Sequence, residues 1–106
     1  MVVRGEVWLA SLDPTRGSEI RKTRPCLVVS PPEMNAHLRT AIVAPLTRGG
    51  QPAPFRIPVR FAGKSGLILL DQIRTLDRAR LVKRLGRVGS RTLTMVLGTL
   101  QEVFAA

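Results

Sequence analysis

His37 is the sole histidine and Cys26 the sole cysteine in this chain of 106 residues. One histidine excludes a histidine pair for acid and base work, and it excludes a multi-histidine metal site within one chain. A surface position beside a short helix is its expected place. Cys26 stands between Pro25 and Leu27 in an apolar run, whereas a thiol nucleophile needs an electropositive, partly exposed setting and a base. It is expected to be buried and structural, and without a second cysteine there is no intramolecular disulfide. The seven carboxylates fall singly at Glu6, Asp13, Glu19, Glu33, Asp71, Asp77 and Glu102, which is not the convergent set that two-metal phosphodiester chemistry needs. No metal site and no cofactor is therefore expected. Arg48-Gly49-Gly50 lacks the Gly-Lys-Ser/Thr of a phosphate cradle and reads as a loop. What remains is a set of polar residues at strand ends, Ser18, Glu19, Arg24, Thr47, Asp71 and Gln72, which composition alone does not single out.

The elements that must position these residues differ between the two halves. All eight prolines lie between Pro14 and Pro58, so the first half should be strands and turns. Strands are expected over residues 6–10, 25–29, 41–46, 55–59 and 66–70, with a turn over 12–17 and a loop over 48–52. Pro58 suggests an edge or bulge position. Residues 30–33 read as the start of a brief helical turn, with proline tolerated there, and Asp77 as the cap of another. Residues 81–88 fit helix and strand equally. After Ser90 the apolar side chains fall at Leu93, Val96, Leu97, Leu100, Val103 and Phe104, the spacing of one helical face. Several short strands followed by one helix describe a small, mainly β, barrel-like sheet with a C-terminal amphipathic helix packed on it.

Length and composition set the outer limits. With 44% apolar residues, the chain can bury enough surface for one core without staples, so a single domain over residues 1–106 is expected and disorder is not. No apolar run reaches bilayer length, and the first residues lack a signal peptide's hydrophobic stretch, so neither a membrane nor export is expected. The lone cysteine fits a reducing, cytoplasmic compartment. Seventeen Lys and Arg against seven Asp and Glu give a formal charge of +10, which favours a polyanion such as nucleic acid or an acidic protein. Between Arg78 and Gln101 lie six cations and no carboxylate.

Three blocks then become informative together. Arg4-Gly5-Glu6-Val7-Trp8, Asp13-Pro14-Thr15-Arg16-Gly17-Ser18-Glu19 and Thr23-Arg24-Pro25 resemble the opening of the MazF/PemK family of toxin endoribonucleases. Val43-Ala44-Pro45-Leu46-Thr47 resembles that family's strand ending in a functional threonine. Leu70-Asp71-Gln72-Ile73-Arg74-Thr75-Leu76-Asp77, followed by Arg80-Leu81, is similar to its downstream signature. The likeness spans nearly the whole chain, in order. It implies an SH3-like barrel of the CcdB/PemK/MazF type, a homodimer, metal-independent and sequence-selective cleavage of single-stranded RNA, and neutralisation by an acidic cognate antitoxin.

Carried over position by position, the resemblance makes Arg24 and Thr47 catalytic, and makes Ser18, Glu19, Asp71 and Gln72 lining residues of an RNA groove. Two departures stand out. Where many relatives have Gln-Gly-Gly, this chain has Ile20-Arg21-Lys22, which adds Arg21 and Lys22 to the RNA-binding cations. PemK proteins carry an arginine two residues before the aspartate of the Asp-Gln block and a histidine at the position of Ser18. Here those places hold Leu69 and Ser18, so the MazF arrangement of arginine and threonine is the better fit. Arg24 suits phosphorane stabilisation because a guanidinium presents a planar fork of donors to phosphate oxygens. Thr47 can donate a hydroxyl hydrogen bond, whereas the proton of the 2′-hydroxyl would go to Glu19 or Asp71, unless those carboxylates only accept from base edges. Two rival readings stay open: a gyrase-poisoning inhibitor on the same fold, as in CcdB, and a plain RNA-binding module. The first depends on a C-terminal tryptophan, and this chain ends Glu102-Val103-Phe104-Ala105-Ala106.

Overall fold

A computed structural model describes residues 1–12 and 22–106. Among the described residues seven strands pair antiparallel throughout: β1 (Glu6–Ser11), β2 (Thr23–Val28), β3 (Thr40–Arg48), β4 (Arg56–Phe61), β5 (Lys64–Leu69), β6 (Arg74–Asp77) and β7 (Leu81–Arg87). Their order is β4-β5-β3-β2-β1-β7, with β6 also on β3. The helices α1 (Pro32–His37) and α2 (Ser90–Val103) accompany them in a mainly β fold. No helix among the described residues is long and apolar enough to cross a membrane.

β3 organises the sheet. It is the longest strand and carries a continuous buried run from Val43 to Leu46, as a strand covered on both faces must. Its first half pairs with β6 (Thr40↔Asp77 to Val43↔Arg74), its middle with β2 (Cys26↔Pro45 to Val28↔Val43), and its end with β5 (Leu46↔Ile68 to Arg48↔Gly66). Pro45 stands at the break between the β6 and β5 ladders, where a missing N–H costs least.

Alternation along the strands separates two cores. Val7, Leu27, Ala44, Leu46, Ile68 and Leu70 form one, and α2 closes it with Val96 fully buried and Leu93 and Leu100 packed alongside. Burying a side chain such as Val96 contributes about 1.5–3 kcal/mol. Gly5 lets the helix sit this close: it holds φ of +94°, and a Cβ there would stand 3.2 Å from Leu93 Cδ2. The opposite face gathers Ala10, Cys26, Val28, Ala41, Val43, Leu76 and Leu81, with Trp8 and Leu12 partly buried against them.

Several expectations change in detail. Residues 81–88 resolve as an edge strand paired only with β1. β6 was not foreseen; only Leu76 of its four residues is buried, too little periodicity to announce a strand. Leu70 leaves the strand expected over 66–70 and opens a 3-10 turn, Leu70–Gln72. The helical turn expected from residue 30 is the two-turn α1, whose N-cap position is Pro31. Ser30 caps nothing there; its hydroxyl donates to Asn35 Oδ1 at 2.6 Å and accepts from the Ile42 amide at 3.0 Å. Asp77 does cap the turn Arg78–Arg80, accepting from the Ala79 amide at 2.8 Å. The turn expected over 12–17 lies, from residue 13 on, outside the described residues.

Candidate functional site

Arg24 is the second residue of β2, exposed, and opposite Ala10 of β1. Strand alternation puts it on the face of Cys26 and Val28. Thr47 is the penultimate residue of β3, half-buried, and opposite Leu67 of β5. Alternation puts Thr47 on the face of Val43 and Pro45, and Cys26↔Pro45 makes that the face of Arg24. Two residues beyond that pair, on either strand, stand Arg24 and Thr47. By then β3 has turned away from β2 to join β5, so the two residues flank the corner where the sheet parts.

Each side of that corner is hollow. On one side a cavity of about 350 Å³ is lined, among the described residues, by Leu12, Lys22, Thr23, Arg24 and Arg74, of which three are cations. On the other, a cavity of about 310 Å³ includes Pro25, Leu46 and Thr47, with Arg48 and Lys64 as its cations and Val59, Phe61 and Leu85 among its apolar walls. This second hollow is the seam where the two edge strands, β4 and β7, face each other. Arg24 and Thr47 thus line different hollows rather than one, and Pro25, next to Arg24 in the chain, lines the second.

Beneath the cations lies Cys26, fully buried. Burial pushes its thiol up to about 11, against a smaller opposing pull from the positive charges of Arg24 and Arg74. A thiol held neutral this way is no nucleophile. His37 is exposed in α1.

Asp71 and Gln72 sit in the 3-10 turn after β5, both exposed, and neither lines either hollow. Asp71 is engaged: Arg56 Nε donates to Oδ1 at 3.2 Å and Nη2 to Oδ2 at 3.0 Å. This two-point pairing holds the Asp71 carboxyl below its ordinary range, chiefly through the hydrogen bond from Arg56. A carboxylate so held is a weak base, though its remaining lone pairs can accept from another donor. Ser18, Glu19 and Arg21 lie outside the described residues; the flanking Leu12 amide donates to the Lys22 carbonyl at 3.2 Å, and both of these residues line the cationic hollow.

Two arginines on these elements carried no assignment from the sequence. Arg74 shares the hollow of Arg24, and Arg56 orders Asp71. Arg74 lies inside the quoted Asp-Gln block, but only the pairing of β6 with β3 reveals what it faces. Glu6 is a third such residue, buried at 7% exposure on the same face. Burial pushes its carboxyl up, yet hydrogen bonds from the Val3 amide (2.8 Å), Trp8 Nε1 (3.1 Å) and Arg84, together with the Arg84 charge, outweigh burial and leave it below 4.5. Trp8 is only partly buried. Among the described residues, no three His, Cys, Asp or Glu side chains gather as metal ligands would. The arrangement can bind a chain of phosphates and place a guanidinium and a hydroxyl at one corner of it.

Comparison with known proteins shows the family and the fold. Residues 3–104 match the model of the PemK-like, MazF-like toxin of type II toxin-antitoxin systems. The chain is 42% identical over 106 aligned positions to Endoribonuclease PemK of Escherichia coli, covering 94% of this chain and 80% of that one. It is 38% identical over 91 positions to Endoribonuclease MazF of Staphylococcus epidermidis, covering 80% and 76%. The fold superposes on a MazE-MazF crystal structure from Deinococcus radiodurans with a TM-score of 0.81 at 29% identity, covering 96% of this chain and 94% of that one. The identities to a PemK and to a MazF are of similar size.

Proposed function

Because the chain belongs to the PemK-like, MazF-like toxin family of type II toxin-antitoxin systems, we propose that it is a metal-independent, sequence-selective endoribonuclease whose catalytic pair is Arg24 and Thr47. The observation that carries this reading is the sheet corner itself: Arg24 and Thr47 on one face, with Arg24 in a hollow whose described lining holds three cations.

Cleavage proceeds by attack of a 2′-oxygen on the adjacent phosphorus. The 2′-hydroxyl loses its proton to a base, the P–O5′ bond breaks, and the departing 5′-oxygen takes up a proton. The products are a 2′,3′-cyclic phosphate and a 5′-hydroxyl. Arg24 stabilises the charge that grows on the non-bridging oxygens, a role in which a preorganised donor contributes most. Thr47 donates its hydroxyl to a phosphate oxygen and fixes its orientation. Lys22 and Arg21 hold neighbouring phosphates, and Ser18, Glu19 and Gln72 line the groove. Asp71, ionised and clasped by Arg56, is suited to accept from base edges rather than to take the 2′-proton.

The same charge suits an acidic, initially disordered antitoxin segment that competes with RNA for this face, and a solved relative from D. radiodurans is a MazE-MazF complex. The working form is a single-domain homodimer in the cytoplasm. The test is a defined RNA incubated with purified protein in excess chelator, with fragment ends mapped. Cutting is expected to persist and leave 5′-hydroxyl ends, and Arg24→Ala to slow it by about a hundredfold or more. Strict dependence on added magnesium, or a folded Arg24→Ala protein that cuts at the parental rate, overturns the reading.

A further inference from the structure

Arg74 opens β6 and pairs across β3 with Val43, which in turn pairs with Val28 of β2. Cross-strand partners share a face, so Arg74 projects onto the face that carries Arg24, one strand removed. The two guanidiniums approach the same place: both line the cationic hollow, and both act on the buried Cys26 beneath it. The ion pairs among the described residues are Arg56–Asp71 and Arg84–Glu6, so neither Arg24 nor Arg74 is neutralised there.

Like charges facing one hollow repel, and the repulsion is relieved by an anion between them. A nucleic-acid strand brings anions at a regular spacing. Lys22 stands outside any strand, whereas Arg24 and Arg74 are both fixed on paired strands, and rigid elements hold a site more tightly. We propose that Arg74 is a positioning residue that grips a phosphate next to the scissile one and so holds the RNA strand to the face of Arg24. This rests on the RNA-cleaving reading above and adds a second, separately testable contact to it.

The experiment uses a short RNA with a 2′-deoxy nucleotide at the scissile position to measure binding, and its unmodified counterpart to measure the single-turnover rate at saturation. Arg74→Ala is expected to weaken binding about tenfold, the size of one charge-assisted contact, while the saturated rate changes less than threefold. The slope of log affinity against log salt should flatten by roughly 0.7, as for one single-strand phosphate contact. Arg74→Lys should restore the slope. Methylphosphonate is then placed at each phosphate flanking the cleavage site in turn. At one position it should weaken binding to the parent about tenfold, yet leave Arg74→Ala unaffected. If the alanine variant does not fold, Arg74→Gln, which removes the charge but keeps a polar chain of similar length, carries the same scan. If the parent cuts RNA and Arg74→Ala matches it in affinity and salt slope, the Arg74 assignment is overturned while the enzyme reading stands. A saturated rate that falls with an unchanged slope likewise overturns it. A parent protein that cuts no RNA overturns both.

Discussion

Gly66 of β5 is wedged between β3 and β4, pairing with Arg48 on one side and Val59 on the other. A methyl group at this position would overlap the carbonyl oxygen of Thr47 and stand 2.9 Å from its carbonyl carbon and 3.4 Å from Arg48 Cα. All three neighbours are backbone atoms, so no side chain can rotate aside. The carbon-carbon gap alone must open by roughly 0.6 Å to reach the separation at which carbon atoms rest, and the oxygen must move further. Gly66→Ala therefore displaces Thr47 itself. Overpacking of this kind costs about 1–3 kcal/mol, which a domain of this size survives, with melting lowered by roughly 4–8 °C per kcal/mol. A displacement near 1 Å at a positioned group costs about a hundredfold in rate. Gly98→Ala is the matched control: it lies in α2 with nothing within 4 Å of its added Cβ, and should raise stability by about 1 kcal/mol without touching cleavage. Melting followed by circular dichroism, and single-turnover cutting well below the transition, read both effects. A Gly66→Ala protein with parental melting and parental rate would refute the placement of Thr47 against β5.

Two further outcomes follow from the carboxylates. Glu6→Ala strands the Val3 amide and the Trp8 indole N–H; water reaches the exposed Val3, so the loss is about 2 kcal/mol, or roughly 10 °C in melting, whereas Glu6→Gln keeps an acceptor and loses less. Because the folded Glu6 carboxyl lies below its ordinary 4.5, its contribution is complete above pH 4.5 and disappears as pH falls through the lower folded value; the gap in melting between parent and Glu6→Gln should therefore close in acid, and a gap that widens there contradicts the assignment. Arg56→Ala releases Asp71, whose carboxyl should titrate higher, towards its ordinary 3.8, when followed by NMR; an unmoved titration would mean that Arg56 does not hold it.

Much of the fold was legible because the relevant signals are local. The apolar spacing from Leu93 to Leu100 announced α2, and the β-branched and apolar runs announced β1, β2, β3 and β5. What was not legible depends on contacts distant in sequence. β6 owes its existence to the edge of β3, and β7 becomes a strand because β1 offers it a partner. Pro25 and Pro45 lie inside paired strands, and Pro45 is tolerated because β3 changes partner there. At the site, composition gave no reason to prefer Arg24 or Thr47 over other polar residues; the family resemblance selected them, and the register around Cys26↔Pro45 supplies a physical reason for the choice. Arg74 and Arg56 escaped because an isolated arginine carries no signal of what it will face. Each gains its meaning from a partner on another strand or turn.

In the proposed reaction a phosphate is attacked by its own neighbouring 2′-oxygen, and one substitution in the substrate isolates that step. Replacing the 2′-hydroxyl with hydrogen at the scissile nucleotide removes the attacking atom and leaves the phosphate that Arg24 would hold. This RNA should bind with parental affinity, remain uncut, and compete with an intact RNA for the same face. Cleavage of the 2′-deoxy substrate at the same bond would contradict it.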